Sequence, residues 1–169
     1  LYARRELFEI YNKGLSLVPT AELPWYRVFW DHHRDNQQFD AYTRYAATIE
    51  LIMGRIRAEG PLSSLDFEGS AKIDWYWGPT SETRAALEAM ADGGYLGLAR
   101  REGNRRYYDL VERLFPETLL AERHDPREQR RHKLLSRYRG HGLLGAGGQS
   151  EIFLGIGRAR RAPQDPPDA

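Results

Sequence analysis

Apolar residues recur at helical spacing in two stretches of this chain, residues 42–59 and residues 82–91. Gly60-Pro61 ends the first stretch and Gly93-Gly94 ends the second, because glycine and proline interrupt helices. In each stretch the apolar side chains fall on one helix face, which predicts burial of that face. The positions predicted to form the core are Tyr45, Ile49, Ile52, Met53, Ile56, Ala85, Ala86, Leu87 and Met90.

Capping signals predict a shorter helix between these two. Ser63 or Ser64 stands where a hydroxyl caps a helix over residues 62–67, and Thr80 or Ser81 does the same for the helix that follows. These hydroxyls satisfy backbone amides that a helix leaves unpaired, so they predict where both helices begin.

A hairpin is predicted after the second long helix. Residues 95–100 and 105–111 have strand character, and Gly103-Asn104 supplies residue types that tolerate the left-handed conformation of tight turns. Helix, short helix, helix and hairpin is the order of a winged helix-turn-helix. The sequence therefore predicts a mainly α fold with small β-hairpins, of the α+β class, with the winged helix over residues 40–116.

The segments on either side of this unit have weaker patterns. Residues 4–18 begin with spacing typical of a helix and end in alternation typical of a short strand that closes at Pro19. The aromatic-rich segment from Leu23 to Trp30 is expected to pack between elements. We expect residues 1–39 to be a helical linker between domains, residues 117–157 to begin a further helical or winged-helix domain, and residues 158–169 to be a disordered tail.

A basic helix is predicted after Asp125-Pro126. Leu134, Leu135 and Tyr138 are expected to form its apolar face, which is too small for membrane binding. Its cations, which include Arg130, Arg131, Lys133 and Arg137, favour a nucleic-acid partner.

Charge is distributed unevenly, although the formal net charge is only +1. Residues 1–97 contain 10 Lys/Arg and 14 Asp/Glu, whereas residues 98–161 contain 15 and 8. A polyanion is therefore expected to meet the second half of the chain, beginning at the hairpin. The alternative is a solvated basic face without a ligand.

Composition argues against several classes of site. A chain without cysteine forms no disulfide and no thiolate metal site, which fits a reducing cytoplasm. No apolar run is long enough to span a bilayer, no signal peptide is apparent, and a chain beginning at Leu1 suggests a fragment. His32-His33 and Asp35 lack a third ligand at helical spacing. We predict neither a metal nor an organic cofactor.

Four arginines crowd the tip of the predicted hairpin: Arg100, Arg101, Arg105 and Arg106. Together with Asn104 they are expected to contact phosphates or the minor groove, which positions a protein without specifying sequence. The preceding helix has a single cation, Arg84, beside Thr83 and Glu88, which is little for reading base edges.

Trp75 and Trp77 alternate about Tyr76, as on a strand or an extended arm. One interpretation is a wedge or stacking platform for nucleobases. The other is a plug between the third helix and the hairpin, and the sequence leaves both open.

Four short motifs occur in a fixed order: Ile56-x-x-x-Gly60-Pro61-x-x-Ser64-x-Asp66-Phe67, Trp75-x-Trp77, Gly94-Tyr95-Leu96 through Arg100-Arg101, and Arg106-Tyr-Tyr-Asp-Leu-Val111 with Pro116. In this order and spacing they resemble the YcaQ/AlkZ family of bacterial winged-helix DNA glycosylases, of the interstrand-crosslink repair type. The segment from Leu7 to Pro19 looks like the part of that family that joins the first winged helix to the second. The resemblance covers about residues 4–145.

The resemblance implies tandem winged helices followed by a small β-rich region, and hydrolysis of the N-glycosidic bond of alkylated purines. It also implies a catalytic Gln-x-Gln or Gln-x-Asp motif in the first winged helix, which is expected before Leu1. Gln38-Phe-Asp40 fits Gln-x-Asp but stands in the wrong context, and Lys13 stands where many members have His. We therefore expect no catalytic residue in this chain.

These features favour the DNA-binding part of a DNA-repair glycosylase for alkylated or crosslinked purines, inactive alone. It is expected to be a monomer that binds double-stranded DNA largely through phosphates and has no membrane partner. The alternative is a winged-helix transcriptional regulator, which would act as a dimer with a more polar third helix, and a protein-binding adaptor is a third class. The side chains expected to contact DNA are Arg84, Arg100, Arg101, Asn104, Arg105, Arg106, Arg130, Arg131, Lys133, Arg137, Trp75 and Trp77.

Overall fold

Short helices and two-stranded antiparallel hairpins build the chain. The structure is a computed structural model that describes residues 2–11, 15–35, 40–75 and 78–141. The strands are β1 (Leu7–Tyr11), β2 (Leu15–Pro19), β3 (Lys72–Ile73), β4 (Thr80–Ser81), β5 (Leu96–Glu102) and β6 (Arg105–Leu110). The helices are α1 (Leu23–Asp35), α2 (Ala41–Arg44), α3 (Ala46–Glu59), α4 (Glu82–Asp92), α5 (Val111–Leu114), α6 (Glu117–Ala121) and α7 (Pro126–His141), with 3-10 turns at Thr20–Glu22 and Ser64–Asp66. The α+β class predicted from the sequence is confirmed.

The helix break and the helix caps predicted within residues 40–116, called the central unit below, are present. α3 ends at Gly60, whose φ of 90° lies in the region that favours glycine. A capping box closes the next turn, since the Ser63 Oγ accepts from the Leu65 amide at 3.2 Å and Asp66 Oδ2 accepts from the Ser63 amide at 2.7 Å. α4 is capped by Ser81, whose Oγ accepts from the backbone amide of its third residue at 3.3 Å.

The β5–β6 hairpin packs against α3 and α4. Its turn lies at Gly103, with φ 58°, as the sequence predicts. Leu62 pairs with Tyr108 through two backbone hydrogen bonds of 3.0 and 2.7 Å, which add one residue of a third strand. The observed order is therefore helix, short 3-10 turn, helix and hairpin. Its core includes Ile52, Ile56, Ala86, Leu87, Met90 and Leu96, and each large apolar side chain buried there contributes about 1.5–3 kcal/mol.

The first segment is a hairpin, so the helix predicted at the start of residues 4–18 is wrong. β1 pairs with β2 in the register Phe8↔Val18 and Ile10↔Ser16, and Phe8, Ile10 and Val18 are buried. Over so short a segment, apolar residues at positions 7, 8, 10 and 11 fit both the helical period of 3.6 and the strand period of 2. The first segment is a strand because it pairs with β2, which was correctly predicted.

α1 joins this hairpin to the central unit, which confirms that the aromatic segment packs between elements. Phe29 and Trp30 are buried in a second core with Phe8 and Phe115. The Trp30 ring lies so close to Gly94 that a Cβ at that glycine would meet ring carbons at 2.3–2.5 Å. The close contact between α1 and the end of α4, called the seam below, is therefore possible only because residue 94 is a glycine.

Beyond the hairpin the chain returns to α1. Both α6 and α7 contact α1. α7 begins at Pro126, where the Asp125 Oδ1 accepts from the Arg127 amide at 2.8 Å, as predicted for a helix start at this pair. The predicted domain boundaries stay predictions, and the predicted tail over residues 158–169 lies outside the described residues.

Candidate nucleic-acid interface

One side of the β5–β6 hairpin faces carboxylates of the protein itself. Arg101 and Arg106 oppose each other across the strands, so their side chains lie on the same side. Arg101 donates to both carboxylate oxygens of Glu9, with N–O distances of 2.7 and 2.6 Å, and the Tyr2 hydroxyl also donates to Glu9. Burial works to raise the pKa of Glu9, but the bonds from Arg101 and Tyr2 outweigh it, and that pKa lies below its ordinary value.

Arg100 and Arg105 lie on the other side of the hairpin. Their guanidinium carbons are 3.6 and 4.7 Å from the ring centroid of Tyr107, a cation–π arrangement. Arg105 also donates to Asp66 Oδ1 at 2.5 Å, and Arg100 to Glu102 Oε1 at 3.1 Å. Arg100 is the more exposed, at 46% of its side chain.

The predicted arginine cluster is therefore assembled, but a carboxylate of the protein lies near each of its members. Arg106, the fourth, has Nη1 4.0 Å from Glu88 Oε1. Asn104 is exposed at the turn and stays a predicted contact. Sequence reasoning did not find these carboxylates as partners, because Glu9 and Asp66 are far from the hairpin along the chain.

One face of α4 carries two carboxylates. Arg84, Glu88 and Asp92 follow each other at intervals of four residues and so share one face. Glu88 accepts from Arg84 Nε and from Trp75 Nε1, each at 3.2 Å. Two carboxylates and one exposed cation agree with the weak base reading predicted for this helix.

Trp75 packs within the protein. Besides its hydrogen bond to Glu88, its ring stands edge-on to Tyr45 with centroids 6.4 Å apart. These contacts favour packing of Trp75 within the protein over the stacking platform, and they are made to α4 and Tyr45, whereas the predicted plug would also contact the hairpin. Trp77 and Tyr76 lie outside the described residues.

α7 presents a row of exposed cations. Arg127, Arg130 and Arg131 share a face at the spacing i, i+3, i+4, and each is exposed. Within the described part of the chain none of the three forms an ion pair. Arg139 is exposed as well, and the side chain of Arg137 is not among those that the structure describes.

The face of α7 that packs on α1 is polar, so the apolar face predicted for this helix is wrong. Gln129 and Lys133 are 6% and 3% exposed, whereas Leu135 and Tyr138 are 41% and 36% exposed. The Lys133 ammonium lies 3.3 Å from the ring centroid of Phe29, so its stem and its charge both pack against α1. Lys133 is not at the surface, and we remove it from the expected DNA contacts.

A three-ring stack also fastens this segment to α1. Trp25 lies between His124 and His132, nearly parallel to both, with centroid distances of 3.4 and 4.2 Å. A carboxylate pairs with each imidazole, Glu122 with His124 at 2.9 Å and Glu22 with His132. These contacts attach α7, which carries the exposed arginines, to α1.

A partly open cavity of about 330 Å³ lies between β1–β2, α1, α4 and the β5–β6 hairpin. Its apolar wall includes Phe8, Trp30, Leu96 and Phe115. Its polar lining includes Glu88, Asp92, Arg106 and His33. Burial, then the charge of Glu88, raises the pKa of the Asp92 carboxyl to about 7, although Arg106 works to lower it. Burial and the neighbouring His32 lower the pKa of His33.

The structure tests little of the catalytic motif. Gln38 and Lys13 lie outside the described residues. Asp40 is exposed, has φ 48° and precedes α2 without a side-chain cap hydrogen bond. Among the described residues no group of three His, Asp or Glu side chains is placed to hold a metal ion.

Within the described ranges, no helix has the length and apolar character needed to cross a membrane.

Comparison with known proteins identifies the family. The family model described as "DNA glycosylase AlkZ-like" matches residues 1–163, nearly the whole chain. No curated protein and no solved structure matched the chain. The ordered motifs from Ile56 to Pro116 had indicated the same relation. The chain belongs to the AlkZ-like DNA glycosylase family.

Proposed function

We propose that this chain is the DNA-binding part of a repair glycosylase for alkylated or crosslinked purines, with residues 40–116 as its winged helix. The family membership supports the repair role. The exposed row of Arg127, Arg130 and Arg131 is the observation that carries the DNA contact. Guanidiniums that have no carboxylate partner among the described residues can pair with phosphates without first losing an internal ion pair.

Contact through phosphates fits the rest of the surface. Arg100 and Arg84, at 46% and 63% exposure, extend the cationic set to the hairpin and α4. Arg101 and Arg105 join it only by exchanging Glu9 and Asp66 for phosphates. Such contacts position the protein on a duplex and carry no sequence information directly.

A transcriptional regulator is the alternative, and the face of α4 disfavours it. A recognition helix enters the major groove and meets base edges with donors such as Arg, Asn or Gln. Here α4 offers one cation, Arg84, which already pairs with Glu88, and no Asn or Gln. We propose a monomer that binds duplex DNA with little sequence preference.

The test is the salt dependence of binding to a random-sequence duplex. Changing Arg127, Arg130 and Arg131 together to Gln is expected to reduce the log–log slope by ~0.9 for each phosphate that the protein no longer neutralises. The matched control changes three other exposed cations, Arg4, Arg44 and Lys72, to Gln and is expected to keep the slope. Equal slopes in all three proteins, or tight binding to one selected sequence, would overturn the proposal.

A second experiment tests the division of labour. We expect the chain to release no alkylated base from damaged duplex DNA, since we propose that the Gln-x-Asp or Gln-x-Gln pair lies in another part of the protein. Base release that disappears in Gln38→Ala would place the active site in this chain instead.

A further inference from the structure

Two arginines meet at the end of α6, outside the set of cations expected to contact DNA. Arg27 on α1 and Arg123 shortly after α6 each donate from Nη1 to the same acceptor, the carbonyl oxygen of Leu120, and the bond from Arg123 is 2.7 Å long. Arg123 Nη1 also donates to the carbonyl oxygen of Glu122 at 2.9 Å. Because one oxygen binds both Nη1 atoms, the two guanidiniums lie next to each other.

Neither of these arginines forms an ion pair with any residue that the structure describes. The Leu120 carbonyl can accept from both, since it has two lone pairs, but it carries no net charge. Two positive charges therefore lie side by side with no counter-ion in the described part of the chain. Two carboxylates stand close by in the sequence and pair with other groups: Asp31 with Arg34, and Glu122 with His124.

Arg27 is partly withdrawn from water. Its Cζ lies 5.9 Å from the centroid of the buried Trp30 ring, and its Nε is buried without a hydrogen-bond partner among the described residues. Burial, then the charge of Arg123, lowers the pKa of Arg27, although Asp31 works to raise it. A charge in this position, beside a like charge, favours the binding of an ion of opposite sign. Arg123 is exposed, so such an ion can reach the pair.

We propose that Arg27 and Arg123 together bind one phosphomonoester group. The planar fork of donors on a guanidinium matches phosphate oxygens, and each of these arginines uses only Nη1 in its bonds to carbonyls. A terminal phosphate carries a charge of about −1.5 to −2 at neutral pH, close to the two positive charges of the pair. Each phosphodiester inside a DNA strand carries a single negative charge. The pair therefore prefers a phosphate at the end of a molecule to one inside a strand.

The phosphomonoester has two sources, the terminal phosphate of a DNA strand or a small phosphorylated molecule. Both present the same dianion to the two guanidiniums. Only the strand end rests on the proposed DNA-binding function, whereas the site itself stands on the two arginines.

The experiment compares inorganic phosphate with dimethyl phosphate by titration calorimetry on the whole chain, at pH 7.5 and constant ionic strength. Dimethyl phosphate is a monoanion, so we expect phosphate to bind roughly tenfold or more tightly. Arg123→Gln is expected to remove that preference, because one of the two charges is lost. Lys72→Gln, which removes an exposed charge elsewhere, is the matched control and is expected to keep it.

A second variant separates the fork of donors from the charge. Arg27→Lys keeps the positive charge but has no planar fork, so it is also expected to weaken phosphate binding. Thermal unfolding of each variant confirms that it is folded. Equal affinity for the two anions in the wild-type chain, or a preference for phosphate that survives in Arg123→Gln, would rule out the site.

Short duplexes with and without terminal phosphates identify the source. Tighter binding of the phosphorylated duplex that Arg123→Gln removes supports a strand end. Equal binding of the two duplexes, together with a preference for free phosphate, supports a small phosphorylated molecule. Binding of a random-sequence duplex, measured alongside, fails only if the proposed DNA-binding function is wrong.

Discussion

Arg101 donates two hydrogen bonds to Glu9, a residue 92 positions earlier in the chain. The pair ties the β5–β6 hairpin to β1, and only 9% of the Glu9 side chain is exposed. An arginine held in this way is not a free cation, so a phosphate that binds it must replace a carboxylate already in place.

The energetic coupling of this pair is measurable by a double-mutant cycle. Glu9→Gln and Arg101→Gln are each expected to lower the free energy of unfolding by about 1–3 kcal/mol, because each leaves a partly buried charge without its partner. The double variant is expected to be more stable than the sum of the two losses predicts. The exposed pair Arg100–Glu102 is the matched control and is expected to show much weaker coupling. Additive losses at Glu9 and Arg101 would mean that the pair contributes nothing.

The lowered pKa of Glu9 also predicts how the stability of the fold depends on pH. Its pKa is lower in the folded chain than in the unfolded chain, where glutamate has a pKa of about 4.3. The stability it contributes is therefore fully present above that unfolded value and is lost as pH falls through the folded one. Urea unfolding from pH 6 to pH 3 is expected to show a steeper loss for the wild type than for Glu9→Gln. Parallel curves would contradict the lowered pKa.

The raised pKa of Asp92 predicts a pH dependence of stability opposite in sign to that of Glu9. It faces Glu88 on its own helix, Arg106 on β6, Tyr42 on α2 and, across the cavity, His33 on α1. Its pKa of about 7 in the folded chain exceeds the unfolded value of about 3.9, so the folded state holds a proton that the unfolded state releases. Stability is therefore lost as pH rises between these values.

The measurement for Asp92 is the difference in unfolding free energy between the wild type and Asp92→Asn. Relative to the variant, the wild type is expected to lose roughly 1–4 kcal/mol between pH 4 and pH 8. Taking the difference removes the contributions of groups that titrate alike in both proteins. Asp74→Asn should show no such trend, and a flat difference for Asp92→Asn would refute the raised pKa.

Local signals in the sequence predicted the central unit, and long-range partners explain the errors. Gly60-Pro61 and the caps at Ser63 and Ser81 act on their own neighbours, so the breaks and the helix starts follow from the residues in place. β1 was mistaken for a helix because only its pairing with β2 selects the strand period. The polar lining of the cavity comes from β1, α1, α4 and β6, and no spacing rule brings those elements together.

Because α1 packs so closely on the end of α4, adding one methyl group at Gly94 is expected to lower the stability strongly. Gly94→Ala is expected to cost about 2–4 kcal/mol of stability, since φ is 71° there and the new Cβ would collide with the Trp30 ring. Gly103→Ala, with φ 58° but open space around it, is the matched control and is expected to cost about 1–2 kcal/mol. Chemical denaturation of both variants provides the comparison. Equal losses would show that the seam gives way to the added methyl group.

Lys133 and Arg131 stand two positions apart on α7 and are expected to behave differently toward DNA. Lys133 is 3% exposed and its ammonium packs on Phe29, whereas Arg131 is exposed on the far face of the helix. Arg131→Met is expected to lower the slope of the salt dependence by ~0.9, whereas Lys133→Met is expected to leave it unchanged. Because methionine is apolar and similar in length, Lys133→Met should also change the stability by less than about 1.5 kcal/mol. An equal drop in slope for both variants would mean that Lys133 leaves the rings of α1 to reach a phosphate.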